Sequence, residues 1–131
     1  MLPAAVRVGC GGSLSAEPTT GIYFVYDRAT STNWSAKSAN NGTRSTVSGG
    51  SSVAVATGWV FLEIAVSSDA LTVEFFVNGV SIGTVTTNLP TLGNNFFPGM
   101  HQLIKTAGTT PATVVYDAVG WRYDFPAARN T

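Results

Sequence analysis

Leu71-Thr72-Val73-Glu74-Phe75-Phe76-Val77-Asn78-Gly79-Val80-Ser81-Ile82 is the stretch that decides the fold. Leu71, Val73, Phe75 and Val77 alternate with Thr72, Glu74 and Phe76, which is the period-two pattern of a strand with one face buried. Asn78-Gly79 follows at once, and the alternation resumes at Val80 and Ile82. Asn and Gly both accept the positive φ of a type I′ turn, so the stretch predicts two antiparallel strands joined by a two-residue loop. Upstream, Val60, Leu62, Ile64 and Val66 alternate with Phe61, Glu63 and Ala65 and predict another strand.

Working outward, further strands are expected at Ile22 to Tyr26, Val53 to Ala56, Leu103 to Thr106 (between Pro98-Gly99 and Gly108) and Thr113 to Val119. The Ser/Thr/Asn/Gly-rich segment from Thr30 to Ser52 contains Trp34 and Val47 and reads as a polar hairpin rather than a linker. No segment carries a 3.6-residue period. About seven or eight short strands in one chain imply an antiparallel sandwich, jelly roll or barrel. The class is all-β, with residues 1–131 as one domain and no internal repeat.

Composition narrows the partners. The 131 residues hold seven Lys+Arg, seven Asp+Glu and one His, a formal net charge of zero, and only 11% are charged. An ordinary globular domain carries about 25%. Without excess Lys or Arg the chain lacks the electrostatic footprint for nucleic acid or an anionic membrane surface, so neither is an expected partner. Hydrophobic residues at 44% with no net charge also exclude disorder. Cys10 has no second cysteine to pair with and reads as a small buried hydrophobe; with His101 alone it cannot build a Cys/His zinc site. Met1 to Gly12 has no basic n-region and is interrupted by Pro3, so it does not read as a signal peptide, and no apolar run approaches the ~20 residues of a membrane span.

Hydrolytic chemistry on a sandwich calls for paired carboxylates. The acids are Glu17, Asp27, Glu63, Asp69, Glu74, Asp117 and Asp124, and no two lie within four residues of each other. Glu63 and Glu74 fall on adjacent predicted strands, opposite the apolar faces, and are expected to point to solvent or a second polar surface. His101 lies in Gly99-Met100-His101-Gln102, which is not a nucleophile elbow, and no Gly-x-Ser-x-Gly occurs. Gly9, Gly11 and Gly12 lack the Lys-Ser/Thr of a phosphate loop; a bulge or close strand packing explains them better. No catalytic residue, metal ligand or cofactor is assigned.

Binding of a neutral ligand is what the composition permits. Sugars are held by an aromatic face against C–H groups and by directional hydrogen bonds to hydroxyls. Asp27, Asn33, Trp34, Asn40, Asn41 and Arg44 form such a set within one predicted hairpin region. The other reading has Trp34 packing over the sheet while Asn40-Asn41-Gly42 makes the turn. The two Asn-x-Ser/Thr sequons, at Asn33 and Asn41, are what chance supplies in so Ser/Thr-rich a chain.

An ordered set of short motifs carries a family resemblance: Gly21-Ile22-Tyr23-Phe24 with Tyr26-Asp27, Thr32-Asn33-Trp34, Asn40-Asn41-Gly42, Trp59 through Ile64, Phe75 through Gly79 with Ile82-Gly83, Thr87 through Pro90, Ile104-Lys105-Thr106 with Gly108-Thr109, and Tyr116-Asp117. Over roughly residues 20–120 the chain resembles concanavalin A-like (laminin G-type) jelly rolls, especially those of tailed-bacteriophage virion proteins. The resemblance implies a non-catalytic module of a head, tail or fibre, located in the virion, with other virion subunits or itself as partners and a host glycan as a further contact. The alternatives are a free-standing lectin and, third, a glycan-cleaving enzyme. The Glu-x-Asp-x-x-Glu motif of β-glucan hydrolases with this fold is absent, and no calcium-ligand set of the lectin relatives maps onto the chain. Such domains commonly run well above 131 residues, and the segment before Gly21 looks too short for the usual opening strands. A pared-down jelly roll of this kind leaves an open sheet edge, so a homo-oligomer is expected.

Overall fold

The computed structural model describes residues 4–13, 16–47, 53–91, 97–105, 108–109, 111, 113–120 and 122. Its strands are β1 (Ala4–Gly11), β2 (Gly21–Asp27), β3 (Ser35–Asn40), β4 (Thr43–Thr46), β5 (Leu62–Val66), β6 (Val73–Val77), β7 (Val80–Val85) and β8 (Phe97–Lys105), with no helix among the described residues. A five-stranded sheet in the order β4-β3-β2-β1-β8 faces a three-stranded sheet in the order β5-β6-β7, and every pairing is antiparallel. The fold is an antiparallel β-sandwich.

Both predicted hairpins are present. Asn78 (φ 51°) and Gly79 (φ 77°) join β6 to β7, and Asn41 (φ 49°) and Gly42 (φ 88°) join β3 to β4, each with the paired positive φ that Asn-Gly tolerates. Val73, Phe75 and Val77 alternate inward as expected and meet Phe24, Trp34 and Ala36 from the other sheet. Phe24 packs edge-to-face on Phe75, with ring centroids 5.3 Å apart. The opposite face of the large sheet is also covered. Tyr23, Val25, Ala39 and Met100 form a second buried cluster there, and the side chain of Pro18 is fully buried.

The structure departs from the sequence expectations in five places. Residues before Gly21 supply a full eight-residue strand, β1, which lies between β2 and β8 rather than being absent. Its glycines are there for contact: a Cβ on Gly9 would run into the carbonyl of Ile22 and come within 2.7 Å of Tyr23 Cα, and the β1–β8 register shifts between Gly9 and Cys10. β8 starts at Phe97 and runs through Pro98-Gly99, read above as a boundary; β8 is an edge strand, where proline costs no ladder bond on the open side. Val53 to Ala56 is no strand but an isolated bridge between Ala54 and Asn33. Thr113 to Val119 has the pattern of a strand but is in none and pairs with no strand among the described residues, and Val115 and Val119 are exposed. β5 begins at Leu62, so Val60 lies outside it. Residues 48–52 of the polar segment and Thr106 lie outside the described residues.

Candidate functional site

β3 separates the six candidate ligand residues. Its six residues, at ~3.3 Å each, put roughly 20 Å between its ends. Asp27, Asn33 and Trp34 belong to one end. Asp27 closes β2 with an Asx turn: its Oδ1 accepts from Ala29 N (3.0 Å), and its carbonyl accepts from Thr30 N (3.0 Å) and Ser31 N (2.9 Å). Asn33 forms the bridge to Ala54. Trp34 is only 6% exposed, its ring edge-on to Phe24 at 6.4 Å and tilted against Tyr26 at 6.0 Å. Its indole is part of the core between the sheets.

Asn40, Asn41 and Arg44 sit at the other end, around the β3–β4 turn. The guanidinium of Arg44 is committed to the chain's own backbone. Nη2 donates to the carbonyls of Glu17 (3.1 Å) and Pro18 (2.9 Å), Nε donates to Pro18 O (3.2 Å), and Nη1 to Gly42 O (3.3 Å). Thus the structure does not assemble these residues into one pocket.

What it assembles instead is a strap, residues 16–20, tied to the outer face of the large sheet. Glu17 is the knot. Lys37 Nζ lies 2.7 Å from Oε1, Tyr23 OH donates to the same oxygen at 3.2 Å, and Arg44 Nε is 3.6 Å from Oε2. Partial burial pushes the Glu17 carboxyl up, but the Lys37 hydrogen bond and charge, with Arg44 and Arg7, outweigh it and hold the pKa below the ordinary value. Tyr23 is pushed up to about 12 by burial, reinforced by the Glu17 charge. Gln102 completes the strap: its Nε2 donates to Ala16 O (3.0 Å) and its Oε1 accepts from Arg7 Nη1 (2.9 Å). None of this was visible locally in the sequence, because Glu17 meets its partners across 20 and 27 residues of chain.

Glu63 and Glu74 are on the outer side of the small sheet but not opposite each other: Glu63 pairs with Phe76, and Glu74 with Ala65. Glu74 Oε1 accepts from Ser81 Oγ at 2.7 Å. His101 stacks against Tyr116 at 4.0 Å. Cys10 is free and buried, and burial pushes its thiol pKa up. Among the described residues no group of three or more His, Cys, Asp or Glu could hold a metal ion. Large apolar side chains reach solvent in several places, Leu71 (65% exposed) and Val115 (67%) among them, and two lie just ahead of β5, Trp59 (73%) and Phe61 (64%). The sequence signal for them was Phe61 falling on the polar phase of the β5 alternation.

The fold and these sites define an antiparallel β-sandwich domain whose polar side chains mainly fasten its own loops. The chain belongs to the family SO2946-like, C-terminal domain, which matches residues 3–117. No curated protein and no solved structure matches it.

Proposed function

We propose that this domain is a non-catalytic structural module of a phage-like particle, a head, tail or fibre component that works through contacts with neighbouring subunits. The observation that carries the reading is the commitment of the charged groups. Glu17, Lys37, Arg44, Asp27 and Glu74 are engaged in bonds that fix loops and hairpins instead of converging on a cleft. The particle is inferred from the resemblance of the ordered motifs to virion jelly rolls, and the family's description as a C-terminal domain fits a part joined to something larger. A hydroxyl-rich sandwich with no net charge suits packing against other subunits, since nothing in it demands a strongly charged partner.

The test is mass spectrometry of density-gradient-purified particles from the source organism. The chain should co-sediment with the particle at a fixed ratio to the major structural protein; its presence in the soluble fraction alone overturns the reading.

A lectin reading has one observation in its favour, the exposed Trp59 beside Phe61. A sugar platform would be Trp59, not the buried Trp34. On a glycan array, binding lost in Trp59→Ala would favour the lectin, and no binding to any glycan removes it.

A further inference from the structure

We infer that β5 is a self-pairing edge: two copies of this chain join antiparallel, β5 to β5, about a two-fold axis at Ile64. The proposal deepens the subunit-contact reading above by naming the partner, a second copy, and the register.

Sandwiches must protect the strands at the edges of their sheets. An open strand edge templates pairing unless it is short, charged, bulged or proline-bearing. β4 has four residues, all polar. β8 contains Pro98 and Lys105. β7 is distorted by a bulge, since Phe75 pairs with Gly83 and Phe76 with Ser81, leaving Ile82 over. β5, Leu62-Glu63-Ile64-Ala65-Val66, has no proline and no bulge, its one charge is Glu63 on the outer face, and among the described residues it pairs with β6 alone.

Backbone parity then restricts the register. Asn78 N donates to Phe61 O (2.7 Å), and Ser67 N donates to Thr72 O (2.9 Å). Hydrogen bonding alternates along an antiparallel strand, so the odd-numbered residues of β5 turn their N–H and C=O toward β6 and Leu62, Ile64 and Val66 turn theirs to the open edge. A second copy must therefore align even residues with even. Centring the two-fold axis on Glu63 would set Glu63 against its own copy, a like-charge pair. Centring it on Ile64 overlaps the whole strand, pairs Leu62 with Val66 of the second copy, and places Glu63 opposite the uncharged Ala65.

The side chains favour the same arrangement. Leu62, Ile64 and Val66 face the core side, yet the row is not closed: Leu62 and Ile64 are half-buried and Val66 is 52% exposed. The matching row of a second copy would cover it, extending one core across the axis. A net charge of zero sets no long-range repulsion against a like partner.

The experiment is sedimentation equilibrium of the full chain at concentrations up to about 300 µM, with fold checked by circular dichroism. The wild type should show a monomer–dimer equilibrium. Ala65→Glu, which faces Glu63 of the second copy, should weaken the dimer about tenfold, and Ala65→Lys should tighten it by a similar factor. Combining Ala65→Glu with Glu63→Lys should restore it. Val66→Pro removes an edge N–H that β6 does not use and should abolish the dimer, whereas Val66→Ala should leave one. A chain monomeric throughout this range overturns self-pairing without touching the particle assignment, which the gradient experiment tests. A dimer indifferent to residues 65 and 66 overturns the β5 edge.

Discussion

At the level of single residues, Glu17 and Trp34 show how position decides what a side chain does. The Glu17 carboxylate is stabilised in the folded state by Lys37 and Arg44, so its pKa lies below the ordinary 4.5. A depressed carboxylate contributes stability that is fully present above its unfolded pKa and is lost as pH falls through the folded one. Stability should therefore decline on acidification from about pH 5 downward, and Glu17→Gln should be ~1 kcal/mol less stable near neutrality with a flatter acid limb, as read from urea midpoints against pH. Tyr23 acts at the other extreme. Its phenol is neutral in the fold and raised to about 12, so the stability it lends is present below the unfolded value near 10 and drains away as pH climbs from there. Ultraviolet difference titration should show late-ionising tyrosine, and since burial raises Tyr116 as well, Tyr23→Phe should reduce that late amplitude by one tyrosine rather than remove it. Trp34 sits among ligand-type residues in the sequence, but its 6% exposure makes it core. Trp34→Ala should cost ~3–5 kcal/mol in thermal or urea unfolding, whatever the chain binds.

Elements differ in how far they can be read from local sequence. The β6–β7 hairpin was legible because its pattern, its turn and its partner are contiguous, and Asn78 adds a clamp by accepting Phe61 N at 2.8 Å. β1 was not, because its meaning depends on neighbours far along the chain: Gly9 lies between Tyr23 and Met100, and only that closeness explains the missing side chain. Thr113 to Val119 fails in the opposite sense. It alternates like a strand, yet a strand exists only with a partner to bond, and none of the described residues pairs with it. The candidate ligand set failed for a geometric reason. Its residues are close along the chain, between positions 27 and 44, but β3 is extended and carries its ends apart. The β1 account has a direct check. Gly9→Ala should destabilise by more than ~2 kcal/mol, because backbone atoms of Ile22 and Tyr23 cannot yield as a side chain could, whereas Gly58→Ala, with nothing within 4 Å of the new Cβ, should change stability by less than ~0.5 kcal/mol. Equal effects at the two positions in urea melts would remove close packing as the reason for Gly9.

Across the whole molecule, the two buried clusters lie on opposite faces of the large sheet, so β2 and β1 are inner elements of a three-layer arrangement of small sheet, large sheet and strap. The strap thus gives the large sheet a cover on the face turned away from the small sheet. β1 is an inner strand, flanked by β2 and by the edge strand β8, so exposing it requires one of these neighbours to come away. Cys10, free and buried in that strand, is a built-in reporter of such opening. Only the thiolate attacks a disulfide reagent, and burial both shields the sulfur and raises its pKa. At pH 8 the native chain should react with an aromatic disulfide at least ~10³-fold more slowly than the urea-unfolded chain, at a rate set by opening of the sheet. Phe75→Ala, which empties the contact with Phe24 between the sheets and should cost ~3–5 kcal/mol, should accelerate labelling if the two faces open together. Glu17→Gln loosens only the strap and should accelerate it far less. Were Glu17→Gln to expose Cys10 as readily as Phe75→Ala does, the strap rather than the inter-sheet core would be what keeps β1 closed.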